Sequence, residues 1–200
     1  MLTPSKNTTD DASLWKAFQQ SDQQAFAKIF HLYYPDLYNY GTKFIANEEL
    51  VKDNLQELFI EIWAKRNALG TVKNIKGYLV KSLRRRLLQN LQKIKKQHSL
   101  TMEAREEQVL FQLSSEELKI KDEQNEELTR KLRQAFDRLN DTQKEVVYLR
   151  FFNNLDYKEI SEVMALQYQS VRNAMHTAIK AFRKALLLFV YALLSYSKTL

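Results

Sequence analysis

The sequence predicts an all-α protein made of two small helical domains, and three observations lead to that fold class. The 200-residue chain has only three glycines and two prolines, whereas β-sandwiches and barrels need many turns that contain Gly or Pro. It contains neither GxGxxG nor GxxxxGKS/T, which excludes the phosphate loops of nucleotide-binding α/β folds. Its composition is rich in Leu, Lys, Gln, Glu and Ala, which are good helix formers.

The sequence gives little support for a metal site, a cofactor or a signal peptide. The chain has no cysteine, so disulfides, thiolate metal sites and cysteine nucleophiles are excluded. Its histidines, at positions 31, 98 and 176, are too far apart in sequence to suggest a metal site. The N-terminus has no apolar run flanked by basic residues, so it does not resemble a signal peptide. We therefore expect a cytoplasmic protein without cofactor or metal.

The net charge of +7 hides an uneven distribution. Residues 66–98 contain ten basic and no acidic side chains, and residues 163–200 contain five basic and no acidic ones. Between them, residues 103–127 contain nine acidic and three basic side chains. Charge runs are usually solvated faces, but two acid-free basic blocks around an acidic one suggest two anion-binding modules.

Apolar periodicity and capping residues predict most of the helices. Pro35 should end or kink a helix, because it lacks a backbone N–H. Asn47 should cap a strongly amphipathic helix, and Asn140 or Asp141 a later one. The predicted helices cover 11–19, 22–34, 36–45, 47–66, a basic helix from 74 or 76 to 97, 127–139, one that begins near 141, and a helical pair after residue 157.

The acidic segment should separate two domains. It includes an apolar patch (Val109, Leu110, Phe111 and Leu113) but no helix with clear caps at both ends. We expect a first domain over 11–97, a linker over 98–126, a second domain over 127–186 and an apolar tail over 187–200. The ten apolar residues 185–194 are about half of a membrane span, so they favour a buried helix or an interface for the other domain, a second copy or an inhibitory partner.

Residues 157–178 fit a helix-turn-helix. Ile160, Met164, Leu166 and Val171 occupy its apolar positions, and the turn would be 165–167, with Ala165 where Gly is often preferred. The second helix would start near Tyr168. The side chains exposed there are of types that contact base edges in the major groove. An ordinary pair of packed helices is the alternative.

Segments of both predicted domains resemble one known family. The segment LNDTQKEVVYLRFFNNLDYKEISEVMALQYQSVRNAMHTAIKAF is similar to region 4 of bacterial RNA polymerase sigma factors of the extracytoplasmic-function (ECF) group. The segments FAKIFHLYYPDLYNYGTKF, VKDNLQELFIEIWAKR and IKGYLVKSLRRRLLQNL resemble region 2. The resemblance covers residues 14–186 in the expected order. It implies a non-enzymatic protein that binds RNA polymerase core and promoter DNA, and it allows for an anti-sigma factor as a further partner.

The resemblance also implies which residues meet each partner. Core polymerase would contact an acidic ridge on the helix after Asn47, where apolar and aromatic side chains also pack as core. This core-binding set is Asp53, Gln56, Glu57, Phe59 and Trp63.

The basic helix resembles the part that opens and holds the minus-ten promoter element as a single strand, through cations that follow phosphates and faces that receive bases. Tyr78 could equally be a core tyrosine. The minus-ten set is Lys73, Asn74, Lys76, Tyr78, Lys81, Arg84, Arg85 and Asn90.

The helix-turn-helix would bind the minus-thirty-five element as duplex DNA. Ala174 and Thr177 stand where the family often carries basic residues. Contacts with DNA would therefore depend on other side chains of this helix. The minus-thirty-five set is Gln167, Tyr168, Gln169, Ser170, Arg172, Asn173 and His176.

The sequence leaves two other classes of function as alternatives. A stand-alone helix-turn-helix regulator with a helical effector domain would be a dimer on a palindromic site. A nuclease would need clustered metal ligands. The acids at 49, 53, 57 and 61 imitate such a cluster, but no second carboxylate group or histidine accompanies them.

Overall fold

The structure is a computed structural model that describes residues 8–98, 111 and 126–196. All regular structure in these ranges is helical, which confirms the all-α prediction. The helices are α1 Thr8–Gln19, α2 Gln23–Phe44, α3 Glu48–Lys65, α4 Ile75–His98, α5 Glu126–Asp137, α6 Asp141–Phe151, α7 Tyr157–Met164 and α8 Tyr168–Tyr196, with a short 3-10 turn at Arg66–Ala68. We call α1–α4 the N-terminal half and α5–α8 the C-terminal half.

The prediction of two helices around Pro35 is wrong, because α2 runs without a break from Gln23 to Phe44. A proline inside a helix loses one hydrogen bond and crowds the preceding turn. Here the buried stripe of the helix continues on both sides, through Tyr33 and Leu37. Packing of that stripe against α3 and α4 outweighs the local cost.

Capping side chains fix several of the predicted helix starts. The Asn47 side chain accepts a hydrogen bond from the Leu50 N–H at 3.0 Å at the start of α3. Asn140 and Gln143 form a reciprocal capping box at the start of α6, and Asp156 and Glu159 do the same for α7. These bonds satisfy N–H groups that have no partner within the helix.

A close helix contact explains the glycine at position 41. A Cβ added there would lie 2.5 Å from Cγ1 of Val51. Any side chain would therefore push α2 away from α3, since packed interiors leave no room for an added methyl group.

The acidic segment 98–126, with its predicted linker, lies outside the described residues except for its two end residues and Phe111. Phe111 is buried, with ring centroids 6.3 Å from Tyr40 on α2 and 5.3 Å from Tyr148 on α6. This residue of the predicted apolar patch therefore lies between the two halves.

The two halves share one continuous apolar core. Within the C-terminal half, α5, α6 and α7 all pack on α8. The two halves meet where α4 packs on α7.

Residues 187–196 of the predicted tail continue α8, and Leu187, at the start of the tail, is 69% exposed. Among the described residues, none of the helices combines the length and the apolar character that a membrane crossing needs.

Candidate nucleic-acid interface

The helix-turn-helix has the geometry that the sequence predicts. Helix α7 ends at Met164, Ala165 adopts a left-handed conformation with φ of 53°, and α8 begins at Tyr168. Ile160, Met164 and Val171 are buried and fix the angle between the two helices.

The left-handed conformation of Ala165 gives a testable prediction. This conformation is unfavourable for residues with a Cβ, whereas glycine adopts it readily. Ala165 is exposed, so Ala165→Gly changes little else. We expect the substitution to raise the free energy of unfolding by about 0.5–1 kcal/mol, measured by urea denaturation. A loss of stability would show that the Ala165 methyl group makes a favourable contact.

The predicted minus-thirty-five side chains form one accessible surface on the N-terminal part of α8. Gln167, Tyr168, Gln169, Ser170, Arg172, Asn173 and His176 are all exposed. The amide of Gln169 donates a hydrogen bond to Oδ1 of Asn173 at 3.0 Å, which orders two amides of the type that recognise base edges. The surface therefore presents amide and guanidinium groups at the start of a second helix, as direct recognition of duplex DNA requires.

A cleft beside this helix contains basic residues that the sequence analysis missed. Arg150, Asp156, Tyr157, Lys158 and Tyr168 line a volume of about 230 Å³. The guanidinium of Arg150 donates to the Leu155 carbonyl at 3.0 Å and lies 5.6 Å from the centre of the Tyr157 ring. Arg150 lies in the last turn of α6 and Lys158 in the first turn of α7, so only the fold brings these two cations together beside the recognition helix.

The predicted minus-ten residues fall into two groups. Lys73, Lys81 and Arg85 are exposed, as a surface that binds phosphates requires. The other five are half-buried or in contact with protein groups. Tyr78 has its ring edge-on to Trp15, with a centroid distance of 5.2 Å, and burial raises its pKa.

Four minus-ten residues form polar contacts within the chain. Lys76 pairs with Asp36 at 2.6 Å, and Asn90 donates to Asn54 at 2.7 Å. Asn74 caps α4 by accepting from the Gly77 N–H at 2.9 Å. The amide of Asn74 also donates to Glu159, on α7, at 2.5 Å. Asn74 therefore connects the two halves.

Arg84, the fourth, is bound by a buried carboxylate of the C-terminal half. Its Nε donates to Oε1 of Glu145 at 2.7 Å and its terminal nitrogen to Oε2 at 3.2 Å. The Tyr40 hydroxyl also donates to Oε1, at 2.6 Å. Burial raises the pKa of Tyr40 well above its usual value, and the charge of Glu145 raises it further, so the phenol stays protonated.

Burial by itself would lower the pKa of Arg84, but the hydrogen bonds and charges of Glu145 and Tyr40 raise it overall. Sequence analysis missed Glu145. Its signal is an acidic residue directly before the apolar pair Val146 and Val147, since a charge in a buried stretch implies a partner.

The predicted core-binding residues lie on α3. Asp53, Gln56 and Glu57 are exposed, whereas Phe59 is buried and Trp63 half-buried. Both aromatic residues pack around Phe26, with centroid distances of 6.2 and 4.9 Å. Phe59 and Trp63 therefore support the helix from within.

A salt-bridge network orders the acidic side of α3. Arg86 of α4 donates to Glu57 at 2.9 Å and also to Glu61. Hydrogen bonding from Lys65, together with Arg86, lowers the pKa of Glu61. The network leaves Asp53 as an exposed carboxylate of the ridge, while Glu57 is partly neutralised.

Ile60 is a further surface residue that the periodicity did not select. It is 60% exposed, and it lies seven, four and three residues after Asp53, Gln56 and Glu57, so the four share one helix face. A large exposed apolar side chain among polar ones is typical of a protein interface. We call Asp53, Gln56, Glu57 and Ile60 the α3 face.

Among the described residues, no group of three or more acidic or histidine side chains is arranged to hold a metal ion. The fold and its exposed surfaces define a helical protein with a helix-turn-helix and a separate basic helix, two features typical of DNA-binding proteins. Comparison with known proteins defines the class further.

Residues 129–182 match the family model "Sigma-70, region 4". The chain is 22% identical over 182 residues to the ECF RNA polymerase sigma factor SigK of Mycolicibacterium vanbaalenii, covering 90% of each chain. It is 23% identical over 179 residues to the ECF RNA polymerase sigma factor SigW of Bacillus subtilis, covering 86% of this chain and 94% of the relative.

Two solved structures share the fold. The sigma factor RpoE of Bartonella quintana, in complex with the anti-sigma factor NepR, has a TM-score of 0.59 at 17% identity and covers 80% of this chain and 96% of its own. CnrH, in complex with the cytosolic domain of CnrY, has a TM-score of 0.57 at 15% identity and covers 88% and 96%. Residues 129–182 therefore match sigma-70 region 4, and over most of its length the chain is similar to sigma factors of the ECF group.

Proposed function

We propose that the protein is a sigma factor of the ECF group that binds RNA polymerase core through its N-terminal half and directs it to a two-element promoter. The single observation that carries the proposal is the exposed helix-turn-helix surface of α8, which lies inside the segment that matches sigma-70 region 4. The relatives are named as RNA polymerase sigma factors, and this supports the same partner here. The protein itself catalyses no reaction, needs no cofactor or metal and acts in the cytoplasm, beside the polymerase.

The two domains have separate binding roles in this function. The domain over 11–97 contacts core polymerase through the α3 face and holds the melted minus-ten strand on α4. The domain over 127–186 binds the minus-thirty-five duplex, with Arg172, Gln169 and Asn173 directed at bases. The cleft residues Arg150 and Lys158 add a contact to the phosphate backbone, since cations position a protein on DNA without selecting sequence.

The acidic segment 98–126 connects the two domains as a linker, and its charge suits a basic channel of the polymerase. Residues 187–200 form the apolar tail, and Leu187 is an exposed apolar residue at its start. An anti-sigma factor is a further expected partner, because the structures of RpoE and CnrH each contain a second bound protein.

Transcription from a randomised library tests this function. Core RNA polymerase is incubated with and without the protein on templates whose upstream sequence is random, and the transcribed templates are sequenced. We expect transcripts only when the protein is present, and two enriched sequence elements at a fixed spacing.

The alternative is a stand-alone helix-turn-helix regulator. In that case the protein alone would bind a palindromic duplex tightly as a dimer, and core polymerase would add nothing. That result would contradict the sigma-factor function.

A further inference from the structure

The loop between the 3-10 turn and α4 is held by side chains of the first helix. This loop consists of residues 69–74, and we call it the α4 loop. The amide of Gln19 donates a hydrogen bond to the Leu69 carbonyl, and Nε1 of Trp15 donates one to the Gly70 carbonyl at 3.0 Å. Two successive carbonyls of the loop are therefore bound by α1.

A third side chain of α1 holds the end of the loop, where α4 begins. One carboxylate oxygen of Asp11 accepts a hydrogen bond from the Ile75 N–H at 3.1 Å, and the other accepts one from the Tyr33 hydroxyl at 2.8 Å. Ile75 is the first residue of α4, so the carboxylate satisfies an N–H that has no partner within the helix. Tyr33 fixes the orientation of this carboxylate from α2.

The three side chains form one stripe on α1. Asp11, Trp15 and Gln19 are spaced by four residues, so they lie on the same helix face, about 6 Å apart along its axis. In this order they bind successively earlier positions of the chain, from Ile75 back to Leu69. The α4 loop therefore runs antiparallel to α1, along one continuous face of that helix.

The α4 loop has little regular structure of its own. In the part of the chain that the structure describes, no backbone–backbone hydrogen bond involves residues 70–73. A Cβ added at Gly70 would meet no atom within 4 Å, so close packing does not fix the backbone at that position. The side chains of α1 therefore supply the hydrogen bonds that define the course of the loop.

The α4 loop belongs to the proposed single-strand site. Its Gly70, Thr71 and Lys73 are exposed, and Lys73 is one of the predicted minus-ten residues. Trp15 also contacts Tyr78, another residue of that set, with its ring edge-on at a centroid distance of 5.2 Å. One side chain of α1 therefore touches both the loop and α4, at the place where the melted strand is expected.

Selection of bases in a single strand depends on such support. Stacking and phosphate contacts tolerate any sequence, whereas a hydrogen bond to a base edge needs a donor–acceptor distance of about 3 Å and good alignment. A loop that must be ordered on binding loses affinity. A loop that shifts also brings its donors and acceptors to more than one base, so it discriminates less between bases.

We propose that Asp11, Trp15 and Gln19 are positioning residues that set the base preference of the minus-ten element by holding the α4 loop on α1. This inference rests on the proposed function for the role of the loop. Trp15 is buried, so it acts through the Gly70 carbonyl and not by contact with DNA. Asp11 and Gln19 act in the same way, through the backbone of the chain that they bind.

Hydrogen exchange tests the support without DNA. Gln19→Met keeps the length of the side chain and removes its donor, and Gln20→Met makes the same change at the exposed neighbouring residue. We expect the Trp15 indole N–H, followed by NMR, to exchange about two- to tenfold faster in Gln19→Met than in Gln20→Met, as loss of one hydrogen bond of the loop predicts. Equal exchange rates in the two variants overturn the proposed support.

Transcription from the randomised library, with core polymerase, tests the base preference. For each variant, the ratio between the most and the least favoured base is determined at every position of both promoter elements. We expect the largest ratio in the minus-ten element to fall about threefold or more in Gln19→Met, whereas the ratios in the minus-thirty-five element stay unchanged. Gln20→Met should retain the ratios of the unsubstituted protein in both elements.

Two more substitutions at Gln19 separate the hydrogen bond from other effects. Gln19→Lys restores a donor of similar reach and should restore the preference. Gln19→Glu has the shape of glutamine without its donor and should lose the preference, which provides a second test if Gln19→Met folds poorly. The charges of both variants change affinity for all sequences alike, so they do not alter the ratio between bases.

The outcomes distinguish this inference from the proposed function. A uniform loss of transcription with unchanged base ratios would assign α1 a purely structural role and refute this inference alone. Failure of Gln19→Lys to restore a preference that Gln19→Met has lost would also refute it, because the donor would then not be the cause. No core-dependent transcription by the unsubstituted protein would refute the proposed function, and this inference with it.

Discussion

Asp53→Lys is expected to weaken binding of core RNA polymerase by about thirtyfold or more. Loss of one partner of a desolvated charge pair at an interface costs about 2–5 kcal/mol, and the new lysine adds repulsion against a basic surface. Asp53 is exposed on the α3 face beside Ile60, so the substitution should leave the fold intact. Fluorescence anisotropy of the labelled protein titrated with core polymerase measures the effect.

The control for this substitution is Glu162→Lys, which makes the same charge reversal on an exposed site of the other half. It should bind core polymerase like the unsubstituted protein. If both variants bind core polymerase like the unsubstituted protein, core polymerase does not contact the α3 face. A matching loss in both variants would instead indicate an effect of net charge.

Arg172→Ala should reduce transcription from a closed two-element promoter by about 5- to 150-fold. A good bidentate contact between a side chain and a base is worth about 1–3 kcal/mol, and Arg172 is the exposed guanidinium of the recognition surface. The measurement is runoff transcription with core polymerase on a promoter taken from the randomised library.

A second template makes this prediction specific. It lacks the upstream element and carries a pre-melted downstream element, so it needs no duplex recognition, and Arg172→Ala should transcribe it normally. Arg183→Ala removes another exposed arginine of α8, three turns further along, and should transcribe both templates normally. Equal losses by Arg172→Ala on both templates would contradict the division of work between the two domains.

Structural features that depend only on residues close together in sequence were predicted well. Asn47 and Asn140 cap the helices that their positions indicated, because a cap needs only backbone groups two or three residues away. The helix-turn-helix was also predicted, down to the turn at Ala165, since its apolar positions repeat at helical spacing within one short segment. The surface of α8 followed directly from that periodicity.

Patterns that depend on distant residues were predicted less well. Pro35 suggested a break because its local cost is visible in sequence, whereas the packing that keeps α2 continuous involves α3 and α4. Ile60 and the cleft with Arg150 and Lys158 were missed for a related reason. Whether an apolar or basic side chain remains at the surface depends on which face its helix presents to the others.

The sequence by itself determined the helical class, the caps, the helix-turn-helix and the charge blocks, because these depend on composition and on spacing within single helices. Only the tertiary structure decided that Arg84 and Asn74 face Glu145 and Glu159, residues 61 and 85 positions away. The physical reason is that a buried charge needs a partner, and sequence shows the need without showing which partner the fold supplies. The basic helix that appears free to bind DNA in the sequence is already bound by the other half of the same chain.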